Sequence, residues 1–139
     1  MNTTLTRRPN PAPDNAGMTP GFYSAVSKVY AVRHILENSE YCNTDLFLFS
    51  ARILRIAEER LNSVTSKLNE TPFGDNGTND LLYDVAGIAF VVSTALGCHE
   101  SFEQGCEAFH GSQLLDCAYT ELMDFGEQLE SDRNRNTTT

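Results

Sequence analysis

The sequence predicts an all-α fold: a single-domain helical bundle of four main helices plus one short helix, with disordered termini. Three observations carry this. Apolar residues recur at three- and four-residue steps through most of 19–130. Turn formers gather in a few short places, chiefly Asn38-Ser39, 71–77 and Gly111-Ser112, and no segment demands a strand. Helix-start signatures stand before the apolar runs. The short connections favour antiparallel neighbours.

Residues 1–18 carry Pro9, Pro11 and Pro13 among polar residues and read as a flexible leader. The bundle domain is expected over 19–130. Thr19-Pro20 predicts the first helix, because threonine caps free amides and proline is tolerated at the first helical position. Phe22, Ala25, Val26, Val29, Val32 and Leu36 form its inner stripe, and Asn38-Ser39 ends it. Thr44-Asp45 opens the second helix, with Leu46, Phe49, Ile53, Ala57, Leu61, Val64 and Leu68 along one stripe. Its first turn, Leu46-Phe47-Leu48-Phe49, is apolar in every direction and must be covered by the fold or by another chain.

The turn-forming run 71–77 separates this helix from a third, expected from about Asp80 to Leu96 with Thr78 or Asn79 as its cap and Gly97 beyond its end. The stretch from Leu81 to Cys98 is apolar except for Asp84, Ser93 and Thr94. It borders on the length of a membrane span, but its flanks carry acids and no Lys or Arg, so a helix buried at the centre of the bundle is expected and no membrane contact. Ser101-x-x-Gln104 has the form of a capping box and predicts a short helix over 102–109, broken by Gly111-Ser112. A last helix over 113–130 gathers Leu115, Ala118, Tyr119, Leu122, Phe125 and Leu129 on one side. Residues 131–139 read as a disordered tail.

With 40% hydrophobic and 21% charged residues, the 139-residue chain has the composition of one globular core. Its net charge of −9 is unevenly placed: residues 70–132 hold thirteen acids and no Lys or Arg. Such a field repels phosphate and anionic lipid and attracts basic protein surfaces, so direct nucleic-acid binding is not expected. Arg52, Arg55, Arg60 and Lys67 are interrupted by Glu58 and Glu59 and read as a mixed solvated face. The opening residues contain no apolar run, which leaves a cytoplasmic location as the expectation and thiols at Cys42, Cys98, Cys106 and Cys117.

No catalytic residues and no cofactor are expected. Cys98, His99, Cys106 and His110 are soft ligands within thirteen residues, yet their spacing matches no zinc module, and Cys106 suits a small buried hydrophobe equally well. Glu107-x-x-His110 occurs once where di-iron bundles need two copies. Gly74-Asp75-Asn76-Gly77 puts an acid where a phosphate loop needs none. No Gly-x-Ser-x-Gly elbow exists.

The remaining pattern is an acid array: Glu100, Glu103, Glu107, Asp116, Glu121, Asp124, Glu127, Glu130 and Asp132. Carboxylates one helical turn apart approximate the phosphate step of a nucleic-acid strand. The functional expectation is therefore a non-enzymatic acidic protein that docks this face on a basic surface of a nucleic-acid-handling protein complex. An inhibitor or regulator of that kind suits an anti-defence protein of a phage or other mobile element. The alternative is a homodimer or larger structural assembly that buries Leu46, Phe47, Leu48 and Phe49, together with Tyr23, Tyr30 and Tyr41. A metal site at Cys98, His99, Cys106 and His110 is the third reading.

Overall fold

The computed structural model describes residues 19–98 and 102–138, with side chains from 106 to 136 in the second stretch. Among the described residues the regular structure is wholly helical: α1 (Pro20–Asn38), α2 (Asp45–Glu70), α3 (Asn76–Gly97) and α4 (Phe102–Thr138). Helix α1 packs on α2 and α4, and α3 packs on the same two. Each helix thus has two neighbours and keeps an outer face.

Helix α1 starts as its sequence dictates. Thr19 Oγ1 accepts the Phe22 amide at 3.3 Å, and Pro20 occupies the first turn. Phe22, Ala25, Val29, Val32 and Leu36 are buried, and Ser39 closes the helix. The Ser39 hydroxyl is itself buried, donating to Glu107 Oε1 at 2.7 Å and accepting from the Tyr41 amide, so it ties the end of α1 to α4.

Helix α2 has the expected start and length, but half of its inner stripe is different. Ala57, Leu61, Val64 and Leu68 are buried as expected, whereas upstream the buried positions are Phe47, Ser50, Ala51 and Leu54. Phe49 and Ile53 face solvent instead. Two apolar stripes of the same period run along this end of the helix, and periodicity cannot choose between them. Polar contacts with α1 make the choice. Arg33 clasps Glu58 through two nitrogens at 2.6 and 3.1 Å, and Arg55 does the same to Glu37 at 2.7 and 2.9 Å. These forks hold one flank of α2 against α1 and turn Phe47 and Leu54 inward.

The chain reverses at 71–75 through Phe73 and Gly74, both at positive φ, 66° and 64°. A Cβ on Gly74 would also stand 2.6 Å from Thr78 Oγ1, so no other residue fits. Helix α3 then begins earlier than expected, at Asn76, capped by Asp75. Asp75 Oδ1 accepts the Thr78 amide at 2.9 Å and Thr78 Oγ1 accepts the Asp75 amide at 3.2 Å, a reciprocal box in which Thr78 is the third helical residue and not the cap. Nor does α3 occupy a centre. It is long and apolar enough to cross a membrane by composition, yet it takes the same kind of place as the other three, with Phe90 and Val91 on its outer side. Its polar Thr78, Asn79 and Ser93 turn inward together with Leu82, Val85, Ala86, Ala89, Val92 and Leu96.

The largest departure is α4, one continuous helix where a short helix, a break and a tail were expected. Gly111 does not break it. A Cβ there would lie 3.1 Å from Leu96 Cδ1 and 3.3 Å from Val32 Cγ1, so the glycine is where α4 crosses both neighbours at close range. Ser112 serves the same crossing, donating to the Ser93 carbonyl at 2.9 Å. Further on, the helix passes Glu130 and runs to Thr138 because Arg133 donates to the Phe73 carbonyl and to Asn79 Oδ1, at 2.9 and 2.8 Å. The leader 1–18 and the capping box at Ser101 lie outside the described residues.

Candidate functional site

The acid array is distributed by α4 over two edges. Toward α1, Glu107 accepts from Ser39 and Glu121 meets Lys28 Nζ at 2.9 Å. Toward α3, Asp116 Oδ1 accepts from Ser93 Oγ at 2.5 Å and Glu130 Oε1 accepts from the Tyr83 hydroxyl at 2.6 Å. Asp132 pairs with Arg135 and accepts from Gln128. Asp124 and Glu127 stand exposed between these edges and have no ion pair among the described residues. Glu100 and the side chain of Glu103 lie outside the described residues.

Five carboxylates of the array thus hold α4 to its neighbours or to itself, and two are left free. A shared negative field nevertheless exists at the Glu127–Glu130 end. Tyr83 is pushed above the ordinary phenol range by burial first, then by its bond to Glu130, with the charges of Glu130 and Glu127 adding to the effect. Asp80 is exposed on α3, one turn before the Asp84 that pairs with Arg60 of α2. The opposite pattern holds between α1 and α2. Arg55 first and Arg33 second keep the Glu37 carboxyl below its usual range, and Glu58 raises Arg33 further above its own.

The expected oligomer contact is divided as well. Phe47 is fully buried in the core, Leu46 and Leu48 are half-buried, and of the four only Phe49 is open to solvent. Tyr41 packs edge-on against Phe47, with centroids 6.4 Å apart, and Tyr30 donates to Asn62 Oδ1. A helical turn that is apolar all round can direct only some of its side chains inward, and the α1–α2 ion pairs select which.

No family model, curated protein or solved structure matches the chain. The site is therefore read from its own residues.

Cys98, Cys106 and His110 are all exposed, so Cys106 is not a core hydrophobe, and His99 lies outside the described residues. Among the described residues no three His, Cys, Asp or Glu side chains converge as a metal would require. Cys106, His110 and Cys117 line the outer strip of α4, where a shallow recess is bordered by His110, Gln113, Leu114, Asp116 and Cys117.

Of the next surface the sequence pointed only to Phe49. Phe49, Ile53 and Ile56 are 49%, 39% and 45% exposed on α2, and Val91 is 62% exposed on α3. The signal was present in the 49-53-56 spacing, a second apolar stripe of helical period.

Proposed function

We propose that this chain is a non-enzymatic, cytoplasmic binding protein, an antiparallel helical bundle that docks the acidic side of α3 and α4 on a basic surface of another protein. The observation that carries the reading is the run of thirteen acids without a Lys or Arg over 70–132, from which Asp80, Asp124 and Glu127 emerge exposed on two adjacent helices. Opposite charge across an interface accelerates encounter and rejects acidic competitors. The narrower form takes the basic surface to be the nucleic-acid groove of a complex that handles DNA or RNA, which the chain would inhibit or regulate, as an anti-defence protein does. It is supported by the spacing of Asp124 and Glu127, roughly 5 Å along the helix and close to the phosphate step.

The test is recovery of partners from the organism that encodes the protein, comparing the natural chain with a triple variant, Asp80→Asn with Asp124→Asn and Glu127→Gln. Among the described residues none of the three makes a hydrogen bond or an ion pair, so the variant keeps its helices while losing charge. A basic protein retained by the natural chain at low salt, released near 0.5 M salt and lost from the variant is the expected result. Equal recovery by both chains, indifferent to salt, sinks the proposal.

A further inference from the structure

Helix α2 has two flanks with opposite fates. On the α1 side, Arg33, Glu37, Arg55 and Glu58 are all consumed in ion pairs within the chain. On the other flank lies the apolar row of Phe49, Ile53 and Ile56, and the charges that accompany it, Asp45, Arg52 and Glu59, have no ion pair among the described residues. The Arg52 guanidinium lies over the Phe49 ring, 5.8 Å from its carbon to the centroid.

The row continues onto α3. Arg60 meets Asp84 at 3.5 Å, which sets the register of two antiparallel helices. One turn further along each, Ile56 comes level with Ile88, and one more turn brings Ile53 level with Val91. Gly87 adds nothing above this surface, since a Cβ there would meet no atom within 4 Å. The result is a two-helix apolar face open to solvent.

We infer that the occupant of this face is a second copy of the chain, related by a two-fold axis that crosses α2 between Arg55 and Ile56. Three arguments select a copy over a different partner. Charge is the first: antiparallel apposition of α2 on its symmetry mate sets Arg52 opposite Glu59, and Asp45 within a residue of opposite Lys67. Arg60, the cation nearest that contact, is already neutralised by Asp84. On α3 the same axis passes near Ile88 and places Asp84 opposite the neutral residues around Ser93, so no acids of the two copies confront each other there.

Repulsion is the second argument. Two chains of charge −9 approach most easily where charge is least, and α2 carries four acids and four bases whereas α4 carries eight acids and two bases. Area is the third. From Asp45 to Lys67 the face is about 33 Å long and two helices, about 20 Å, wide, giving about 650 Å² per copy and about 1,300 Å² in all, within the range of specific interfaces. The face is separate from Asp124 and Glu127 on α4, although Asp80 stands beside it on α3, so loss of the dimer and loss of the α4 contact are read independently.

Light scattering coupled to gel filtration, in 0.5 M salt, provides the test. The expected species at 50 μM has twice the 15.4 kDa chain mass. Ile53→Glu with Ile56→Glu yields a monomer of unchanged helical circular dichroism, because both side chains are solvent-facing in the single chain. Val91→Glu on α3 does the same from the other helix. In low salt, Arg52→Glu raises the dimer dissociation constant at least tenfold, and adding Glu59→Arg restores it. A natural chain that remains monomeric at 50 μM overturns the inference, as does a dimer that withstands all of the glutamate variants.

Discussion

Helix α2 leaves Phe49, Ile53 and Ile56 in solvent beside charges that sum to zero, while α4 turns its leucines inward and carries a surplus of six acids. Both contribute fully buried leucines to one core, Leu54, Leu61 and Leu68 from the first and Leu115, Leu122 and Leu129 from the second. The difference lies in what each offers outward. An apolar face gains from water release and tolerates salt, whereas a carboxylate surface acts through a field that salt screens within about 10 Å. The proposed acidic contact and the inferred dimer therefore respond oppositely to salt.

The comparison breaks most sharply inside α2, between adjacent residues on its two stripes. Leu54→Ala removes a fully buried side chain and is expected to cost about 2–5 kcal/mol in urea unfolding of dilute protein. A loss below about 1 kcal/mol would mean that α2 is rotated and its exposed row is the true core face.

On α4 the corresponding weak point is a glycine. Gly126 is buried, and a Cβ on it would stand 2.7 Å from Tyr83 Cε1, so Gly126→Ala must displace the ring that bonds Glu130. Despite the better helix propensity of alanine, a net destabilisation of about 1–3 kcal/mol is expected. Tyr83→Leu in the same background relieves the clash and recovers part of it.

A smaller effect separates the start of α3 from the acids of α4. Asp75→Ala removes the reciprocal cap and costs about 1 kcal/mol at neutral pH. The Thr78 amide above all holds the Asp75 carboxyl below its ordinary value of 3.8. A depressed carboxyl contributes stability that is present above that value and is lost as pH falls through the folded pKa. The gap between the natural chain and the variant therefore closes in acid below 3.8, when followed by urea midpoints across pH; a gap that widens there contradicts the cap.

The smallest change is expected at Ile53→Ala, within about 0.5 kcal/mol for the isolated monomer, since the residue is 39% exposed and the better helix propensity of alanine offsets part of the packing it loses. Set beside Leu54→Ala, it measures how completely one residue of offset divides core from surface.

Much of the fold was legible before any coordinates. Thr19-Pro20 marked the start of α1, Asn38-Ser39 its end, and Thr44-Asp45 the entry to α2, because capping and proline geometry are local and act through residues three or four apart. The lower half of the α2 stripe and the inner face of α4 followed from periodicity. Of the site, the asymmetry of charge was plain in the sequence, and so was the abundance of apolar groups at the start of α2.

Other features depended on partners distant in the chain. Gly111-Ser112 reads locally as a break, and only the approach of Leu96 and Val32 makes it a helical crossing. Arg133 reads as part of a tail until Phe73 and Asn79 supply its acceptors. Ser39, Ser93 and Tyr83 convert three acids of the array into interhelical ties.

By itself, then, the sequence determined helix class, the number of long apolar segments and the excess of acid beyond Glu70. Tertiary structure alone decided the rotation of α2, the continuity of α4 and which carboxylates remain free. The physical reason is range: caps and helical period are read within a turn or two, whereas rotation and pairing are settled by ion pairs and close approaches between residues 15 to 93 positions apart.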